Sequence, residues 1–391
     1  MQKRQFIRVL GAGAIGAISI SAAGCSSIEP AVQAWNGPAP QGDADPRRAI
    51  VSYALLAPNP HNLQSWLVDL RSPGEIGLLC DASRLLPETD PLGRQIMIGQ
   101  GCFLELLVIA ASHFGLSAAV DLFPGGTPGS DLRALSQAPI EVARVKLTSG
   151  GSGAAPDPLF AQILKRRSNK LPFDTQRPVE ENQLRLLAGT DRSSSLRLGF
   201  NGQAELRDQL RELTWQAHLT EVTTPRTLME SIRLMRIGAS EINQHRDGIS
   251  LSGPMIEFGK LAGIVTRESL ADPKSSGFAQ GLKMYEAITN TAMGHVWIVT
   301  RGDQAGNRRV DQLEAGRRYV RLNLQATAMG IAMHPLSQAL QEFPEMAPLH
   351  TRLRELLRLA PDETVQMLVR VGYGPEAPPK PRRPVETLFR T

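Results

Sequence analysis

Arg166, Ser168 and Lys170 stand at alternate positions and bring two cations and a hydroxyl into one short stretch. That combination suits a phosphate monoester, which accepts charge-assisted hydrogen bonds from guanidinium and ammonium groups. Lys380 and Arg382 add cations on a tail stiffened by Pro378, Pro379, Pro381 and Pro384. A second kind of chemistry is written from Ala57 to Trp66, APNPHNLQSW. Pro58 and Pro60 forbid helix there, and Asn59, His61, Asn62 and Gln64 crowd a rigid turn with groups able to address a flat heteroaromatic ligand. Each stretch alone also reads as a solvated basic cluster or an Asx-rich helix cap. Together they invite one ligand with an anionic end and a planar end.

The elements that must position these residues follow from spacing and punctuation. Asp45 as N-cap with Pro46 behind it predicts a helix over 45–56 that delivers the turn. Strands over 65–70 and 75–80 flank Ser72-Pro73-Gly74, a hairpin signature. Apolar residues at helical spacing predict a helix over 93–114, stopped by Gly115, and strands follow over 118–123 and 140–147. After a Gly- and Ser-rich linker over 149–155, helices are expected over 157–167, 180–187 and 204–220, with a strand over 196–200. Residues 225–290 hold helical patterns broken by Gly248, Gly253-Pro254, Gly263 and Pro273. They suit an insertion lying across a site as a lid, or an ordinary helical subdomain. A strand over 295–300, a long helix over 311–329 and a strand over 364–373 complete the pattern. Gly101 to Gly115 and Gly316 to Gly330 match in length, with Leu107, Ile109 and Ala111 in register with Leu322, Leu324 and Ala326. This short repeat suggests two related units packed as a homodimer would be.

With 391 residues, 42% of them hydrophobic, the chain can bury an enzyme-sized core. It divides into an export signal (1–25), a linker (26–44), a first unit (45–148) and a second unit (156–391) carrying the insertion. Lys3-Arg4-Gln5-Phe6-Ile7-Arg8 precedes a mild apolar run ending at Ser21-Ala22-Ala23-Gly24-Cys25. This is similar to a twin-arginine signal with Lys3 in the place of the first arginine. Cys25 stands where a lipoprotein signal carries its lipidated cysteine; simple cleavage after Ala23 is the alternative. Either way the expected location is the periplasm or cell envelope. Lys3, Arg4 and Arg8 account for part of the formal charge of +5, aromatic residues are 5%, and no basic stripe interleaves with them, so no nucleic-acid partner is expected. Cys80 and Cys102 read as buried free thiols, and the seven histidines show no ligand spacing, so no metal is expected.

At these residues the chain resembles the FMN-dependent nitroreductase family, specifically its tandem Acg-like branch. The family's R-x-S-x-K element is matched by Arg166, Ser168 and Lys170, and its P-x-x-x-N-x-Q-P-W element by Pro58, Asn62, Gln64 and Trp66, with Ser65 for the second proline. G-x-x-x-x-P-x-E-G reads here as GIAMHPLSQ, Gly330 to Gln338, and the C-terminal K-x-R as Lys380 and Arg382. The resemblance implies an α+β nitroreductase-like fold whose two tandem halves form an intramolecular pseudo-dimer, so that the chain is a monomer. It implies one FMN between the halves. Arg166, Ser168, Lys170, Lys380 and Arg382 would hold its phosphate and ribityl end, Pro58, Asn59, Asn62 and Gln64 would line the flavin, and the backbone N–H groups of Leu336, Ser337 and Gln338 would face N5. No protein nucleophile is then required. The expected activity is flavin-mediated hydride or electron transfer from a small-molecule donor to a quinone, nitroaromatic or similar acceptor. A flavin-sequestering protein closed by its lid is the alternative, and a protein that keeps the fold but binds nothing is a third.

Overall fold

Asp45 does what its position predicts: its carboxylate accepts from the Arg47 backbone N–H, and the helix behind it runs on as far as Ala54. The computed structural model describes residues 27–38, 45–129, 138–150, 155–189, 196–302 and 308–390. In chain order its main elements are α1 (Glu29–Val32), α2 (Pro46–Ala54), β1 (Trp66–Asp69), β2 (Glu75–Cys80), α3 (Arg94–His113), β3 (Leu116–Leu122) and β4 (Ile140–Ser149). Then come α4 (Glu181–Ala188), β5 (Leu196–Asn201), α5 (Ala204–Thr223), α6 (Pro225–Leu234), β6 (Met235–Ile237), α7 (Gly238–His245), β7 (Ile249–Leu251), α8 (Pro254–Leu261), α9 (Arg267–Ala271) and α10 (Ser276–Asn290). The chain closes with β8 (Gly294–Arg301), α11 (Arg309–Ala328), β9 (Ala332–Pro335), α12 (Ala347–Leu356) and β10 (Glu363–Gly372).

The class is α+β. One four-stranded sheet has the order β1-β2-β4-β3 and a second the order β5-β8-β10-β9, every pairing in both being antiparallel. Helix α3 lies on the first sheet and α11 on the second, and the two helices pack against each other. In length and mean hydropathy α3 would suit a membrane span, but 89% of that stretch is buried within the protein, as a core helix is. The helices meet at glycine. A Cβ on Gly101 would lie 2.0 Å from the Leu313 carbonyl oxygen, and one on Gly316 would lie 2.0 Å from that of Ile98. The same sequence offset relates Ile98 to Leu313 and Gly101 to Gly316, so the contact is reciprocal. Glu105 fastens the pair by accepting from the Nε of both Arg317 and Arg321.

Several elements depart from the sequence pattern. Residues 157–167 form only a 3-10 turn, Pro158–Gln162, after which the chain runs out to pair Asn169 N–H with the Met333 carbonyl. Strand β9 and helix α12 were not anticipated; β9 is four residues long and ends at Pro335, too short for a period to show. The stretch read as a tether is folded over part of its length, with α1 and a 3-10 turn, Gln33–Asn36, holding Trp35 at 7% exposure. The export signal, Cys25 and residues 39–44 lie outside the described residues, as does 151–154 of the expected linker.

Candidate functional site

The APNPHNLQSW turn follows α2 and is held in an unusual backbone. His61, Asn62 and Gln64 have φ of 46°, 54° and 54°, a left-handed region that non-glycine residues enter at a cost of order 1 kcal/mol each. The neighbours that fix it are identifiable. Asn59 Oδ1 accepts from Gln64 N–H at 2.8 Å. Asn62 Nδ2 donates to the Pro381 carbonyl, while Arg382 Nη1 donates to Asn62 Oδ1 at 2.7 Å. Gln64 Oε1 accepts from Arg383 N–H, and Gln64 Nε2 donates to the Arg246 carbonyl at 2.9 Å. Turn and tail are thus brought together, with Asn62 and Gln64 facing the protein: their amides dock the tail and the segment after α7. Pro58 is buried, and Asn59 is half-buried at the start of the turn.

The basic residues separate into two kinds. Arg166 is 2% exposed and gives Nη2 to the Leu56 carbonyl and Nη1 to Asn323 Oδ1, leaving its Nε without a partner. Arg382 is 5% exposed and gives its donors to the carbonyls of Leu55, Leu56 and Ala57 and to Asn62. Both guanidiniums cap the C-terminal end of α2, where helix carbonyls lack partners. Burial, and then Arg166 and Arg167, pull Arg382 down to about 9. Lys170 and Lys380 are different. Among the described residues neither ammonium has a hydrogen-bond or ion-pair partner. Lys170 is exposed to solvent, yet the protein packed around it holds its pKa below the usual lysine value against the opposing pull of Glu221. Lys380 is half-buried and pushed down to about 8, first by burial and then by the charge of Lys170. The two cations are close enough for the charge of Lys170 to act on Lys380, and the carboxyl that acts on Lys170 is Glu221.

Lys170 is aimed from behind. Arg370, on β10, donates Nη2 to the carbonyls of Asn169 and Leu171, on either side of the lysine, and Nε to His334 Nδ1 across the β9–β10 pair. Asn169 Nδ2 donates to the Pro375 carbonyl. Ser168 is half-buried between Arg166 and Lys170. Of the expected N5-facing segment, Leu336 donates its N–H to Leu368 within the sheet, whereas Ser337 and Gln338 open the 3-10 turn Gln338–Leu340, where N–H groups are free of helical acceptors.

A group of side chains beside Lys170 and Gln338 escaped sequence reasoning. Glu221, near the end of α5 and 5% exposed, accepts from Gln341 Nε2 at 3.0 Å and from Ser231 Oγ at 3.4 Å. Burial raises its pKa to about 7 against the opposing pull of Gln341 and Lys170. Ser231 Oγ lies 3.5 Å from His61 Nε2. The His218 ring stacks on Tyr285 at 3.5 Å, and the Tyr285 hydroxyl donates to Gln338 Oε1 at 2.9 Å. Burial, then Lys170, lowers His61 to about 4 and His218 to about 3, so both imidazoles are neutral. A carboxyl that still holds a proton near neutrality can give it up, and neutral imidazoles can donate or accept. Helical amphipathicity hides Glu221 in the sequence, because nothing marks one glutamate on α5 as inward-facing.

A surface depression lined by Asp69, Arg71, Ser72, Glu75, Gly77, Glu141 and Arg144 pairs Arg71 with Asp69 and Arg144 with Glu141. Cys80 and Cys102 are buried free thiols, burial pushing Cys80 up to about 12. Among the described residues no group of three or more His, Cys, Asp or Glu is placed to hold a metal.

Over most of its length the chain is similar to mycobacterial nitroreductase-like proteins. It is 26% identical over 355 residues to "Putative NAD(P)H nitroreductase Rv3131" of Mycobacterium tuberculosis (strain ATCC 25618 / H37Rv), covering 87% of this chain and 90% of that one. Against "Putative NAD(P)H nitroreductase acg" of the same strain the identity is 26% over 359 residues, covering 88% and 94%. No family model matches. Among solved structures, the FMN-dependent nitroreductase NfnB from Mycobacterium smegmatis in complex with NADPH aligns at 19% identity and a TM-score of 0.33, covering 55% of this chain and 87% of that one.

Proposed function

We propose that the chain is an FMN-binding oxidoreductase of the nitroreductase type that passes hydride or electrons from a small-molecule donor to a quinone, nitroaromatic or similar acceptor. The observation that supports this most is the Lys170–Lys380 pair: two ammonium groups without partners, beside a strained polar turn and the Ser337–Gln338 N–H groups. Lys170 and Lys380 would take the cofactor's phosphate charge, with Ser168 adding a hydroxyl. Pro58 and Asn59 would line it, and the N–H groups of Ser337 and Gln338 would meet its redox edge. FMN, when bound there, supplies the hydride chemistry. Glu221, protonated up to about pH 7, stands ready to deliver the proton that accompanies hydride. Arg382, Asn62 and Gln64 act as builders of the site, since their donors and acceptors are engaged within the protein, and Arg166 does so through its two Nη groups.

The reciprocal Gly101–Leu313 and Gly316–Ile98 contacts support two tandem related units packed as a pseudo-dimer. The turn occurs in one unit and the lysines in the other, so the reading is one FMN per monomeric chain. The signal-like residues 1–25 support export to the periplasm or envelope, with a lipid anchor if Cys25 is modified.

A second reading, a flavin-sequestering protein with little turnover, is favoured by one feature. The segment between α7 and β7 is bolted to the turn: Gly248 donates to the Asn62 carbonyl, and Asp247 bridges Arg84 and Arg236. Anaerobic titration of the flavin-loaded protein with NADPH, NADH and a reduced quinol analogue separates the two. Bleaching of the flavin, followed by reoxidation with a quinone, supports the enzyme. Failure of every donor supports sequestration, and a protein that takes up no FMN contradicts both.

A further inference from the structure

The tail from Pro378 to Pro384 cannot organise itself. Its four prolines leave only Lys380, Arg382 and Arg383 with a backbone N–H, too few donors for a strand or helix. Its conformation is imposed from outside, and much of the imposing surface is the stretch that sequence pattern assigned to a linker. Trp35 Nε1 donates to the Lys380 carbonyl at 2.8 Å, and Arg382 N–H donates to the Ala31 carbonyl at 2.8 Å. The indole also lies against three guanidiniums, with Arg167, Arg382 and Arg166 at 4.3, 5.2 and 5.5 Å from its ring. An aromatic face between like charges offsets their repulsion in a way no aliphatic side chain can. At the far end of the same stretch, Asn243 on α7 donates to the Ser27 carbonyl at 2.7 Å. The segment therefore spans from the helical insertion to the tail.

We propose that residues 27–37 are a strap rather than a tether, and that Trp35 is a positioning residue which holds Lys380 against Lys170 and so completes the anion-binding pair. The inference rests on the cofactor reading only for the identity of the anion. The geometry of the lysine pair is a property of the protein itself. Without the indole N–H, the Lys380 carbonyl loses its donor, and the tail ahead of the anchors at Pro381, Arg382 and Arg383 is released. Lys380 then moves out into water and away from Lys170.

Two measurements on the full chain test this. The first is a double-mutant cycle on FMN affinity, read by quenching of flavin fluorescence, with Trp35→Ala and Lys380→Ala made singly and together. Trp35→Ala is expected to weaken FMN binding at least tenfold when Lys380 is present and less than threefold when it is absent. A merely structural tryptophan would impose the same factor in both backgrounds, and that result overturns the proposal. The second uses the apo-protein and needs no cofactor: acetylation of Lys380 by acetic anhydride at pH 8, followed by peptide mass spectrometry. A lysine held near pKa 8 is about half free amine at that pH, and one relaxed into water is almost wholly protonated. Trp35→Ala should slow Lys380 labelling at least tenfold, and an unchanged rate sinks the strap. Should Trp35→Ala fail to fold, Trp35→Phe keeps an aromatic ring by the guanidiniums and removes only the N–H donor. The labelling must still slow measurably in that variant. If the unaltered chain takes up no FMN, the cofactor reading fails, and the labelling alone decides on the strap.

Discussion

Arg166 and Arg382 on one side, and Lys170 and Lys380 on the other, look alike in sequence and are opposites in the fold. The arginines are turned into the protein, where their planar donor sets close the open carbonyls of α2 and hold Asn62. The lysines, Lys170 four positions after Arg166 and Lys380 two before Arg382, make no hydrogen bond or ion pair among the described residues. The arginine builds the wall, and the neighbouring lysine is left facing the space. An R-x-S-x-K or K-x-R pattern is thus a division of labour rather than a tally of positive charge. It follows from chemistry, since a guanidinium can satisfy several carbonyls at once while an ammonium is a compact point charge suited to an anion.

The contrast can be broken in order of effect. Lys170→Ala combined with Lys380→Ala should cost the most in FMN affinity, because each removes a charge-assisted contact worth about 1.5–3 kcal/mol, or roughly tenfold to a hundredfold. Flavin titration checks this, and the melting temperature of the apo-protein should hold or rise as the two like charges are removed. Arg382→Ala should do the reverse. It takes a donor from the carbonyls of Leu55 and Ala57, Leu56 keeping Arg166, and should lower unfolding stability by about 3 kcal/mol in denaturant titration, with any loss of FMN secondary. A third prediction concerns Glu221, whose carboxyl rises from a usual value of 4.5 to about 7 in the fold. Between those pH values the unfolded chain has released this proton and the folded protein has kept it, so the folded state is penalised as pH rises. Stability should fall from pH 4.5 to 7 by up to about 3 kcal/mol on account of this group, and Glu221→Gln should flatten that slope. The smallest effect is expected of Asn59→Ala, which frees the Gln64 N–H and should cost about 1 kcal/mol of stability with only modest change in flavin affinity.

Much of the scaffold was legible in the residues. The Asp45 cap, the hairpin of β1 and β2, the two long central helices and the strands on either side of the insertion follow from capping, turn chemistry and apolar period. What was not legible has a common cause: the deciding partner is distant in sequence. Asn169 N–H pairs with Met333 just beyond the short turn that stands in place of the expected helix over 157–167. Trp35 finds Lys380, so a proline- and glycine-rich leader folds. The candidate site divides in the same way. In the proposed reading Pro58, Asn59, Ser168, Lys170, Ser337, Gln338 and Lys380 would meet the ligand. Arg166, Arg382, Asn62, Gln64 and the Leu336 N–H are committed to the protein, while Arg370, Glu221 and Trp35 gave no local signal.

The central claim is that Lys170 and Lys380 form the phosphate end of a single cofactor site, and riboflavin, which lacks only the phosphate, tests it most directly. Calorimetric titration of the apo-protein with FMN and with riboflavin should give one FMN per chain and a preference for FMN of at least tenfold. In the chain carrying Lys170→Ala and Lys380→Ala that preference should vanish while riboflavin affinity is little changed. A double variant that still prefers FMN to riboflavin by the same factor would contradict the account.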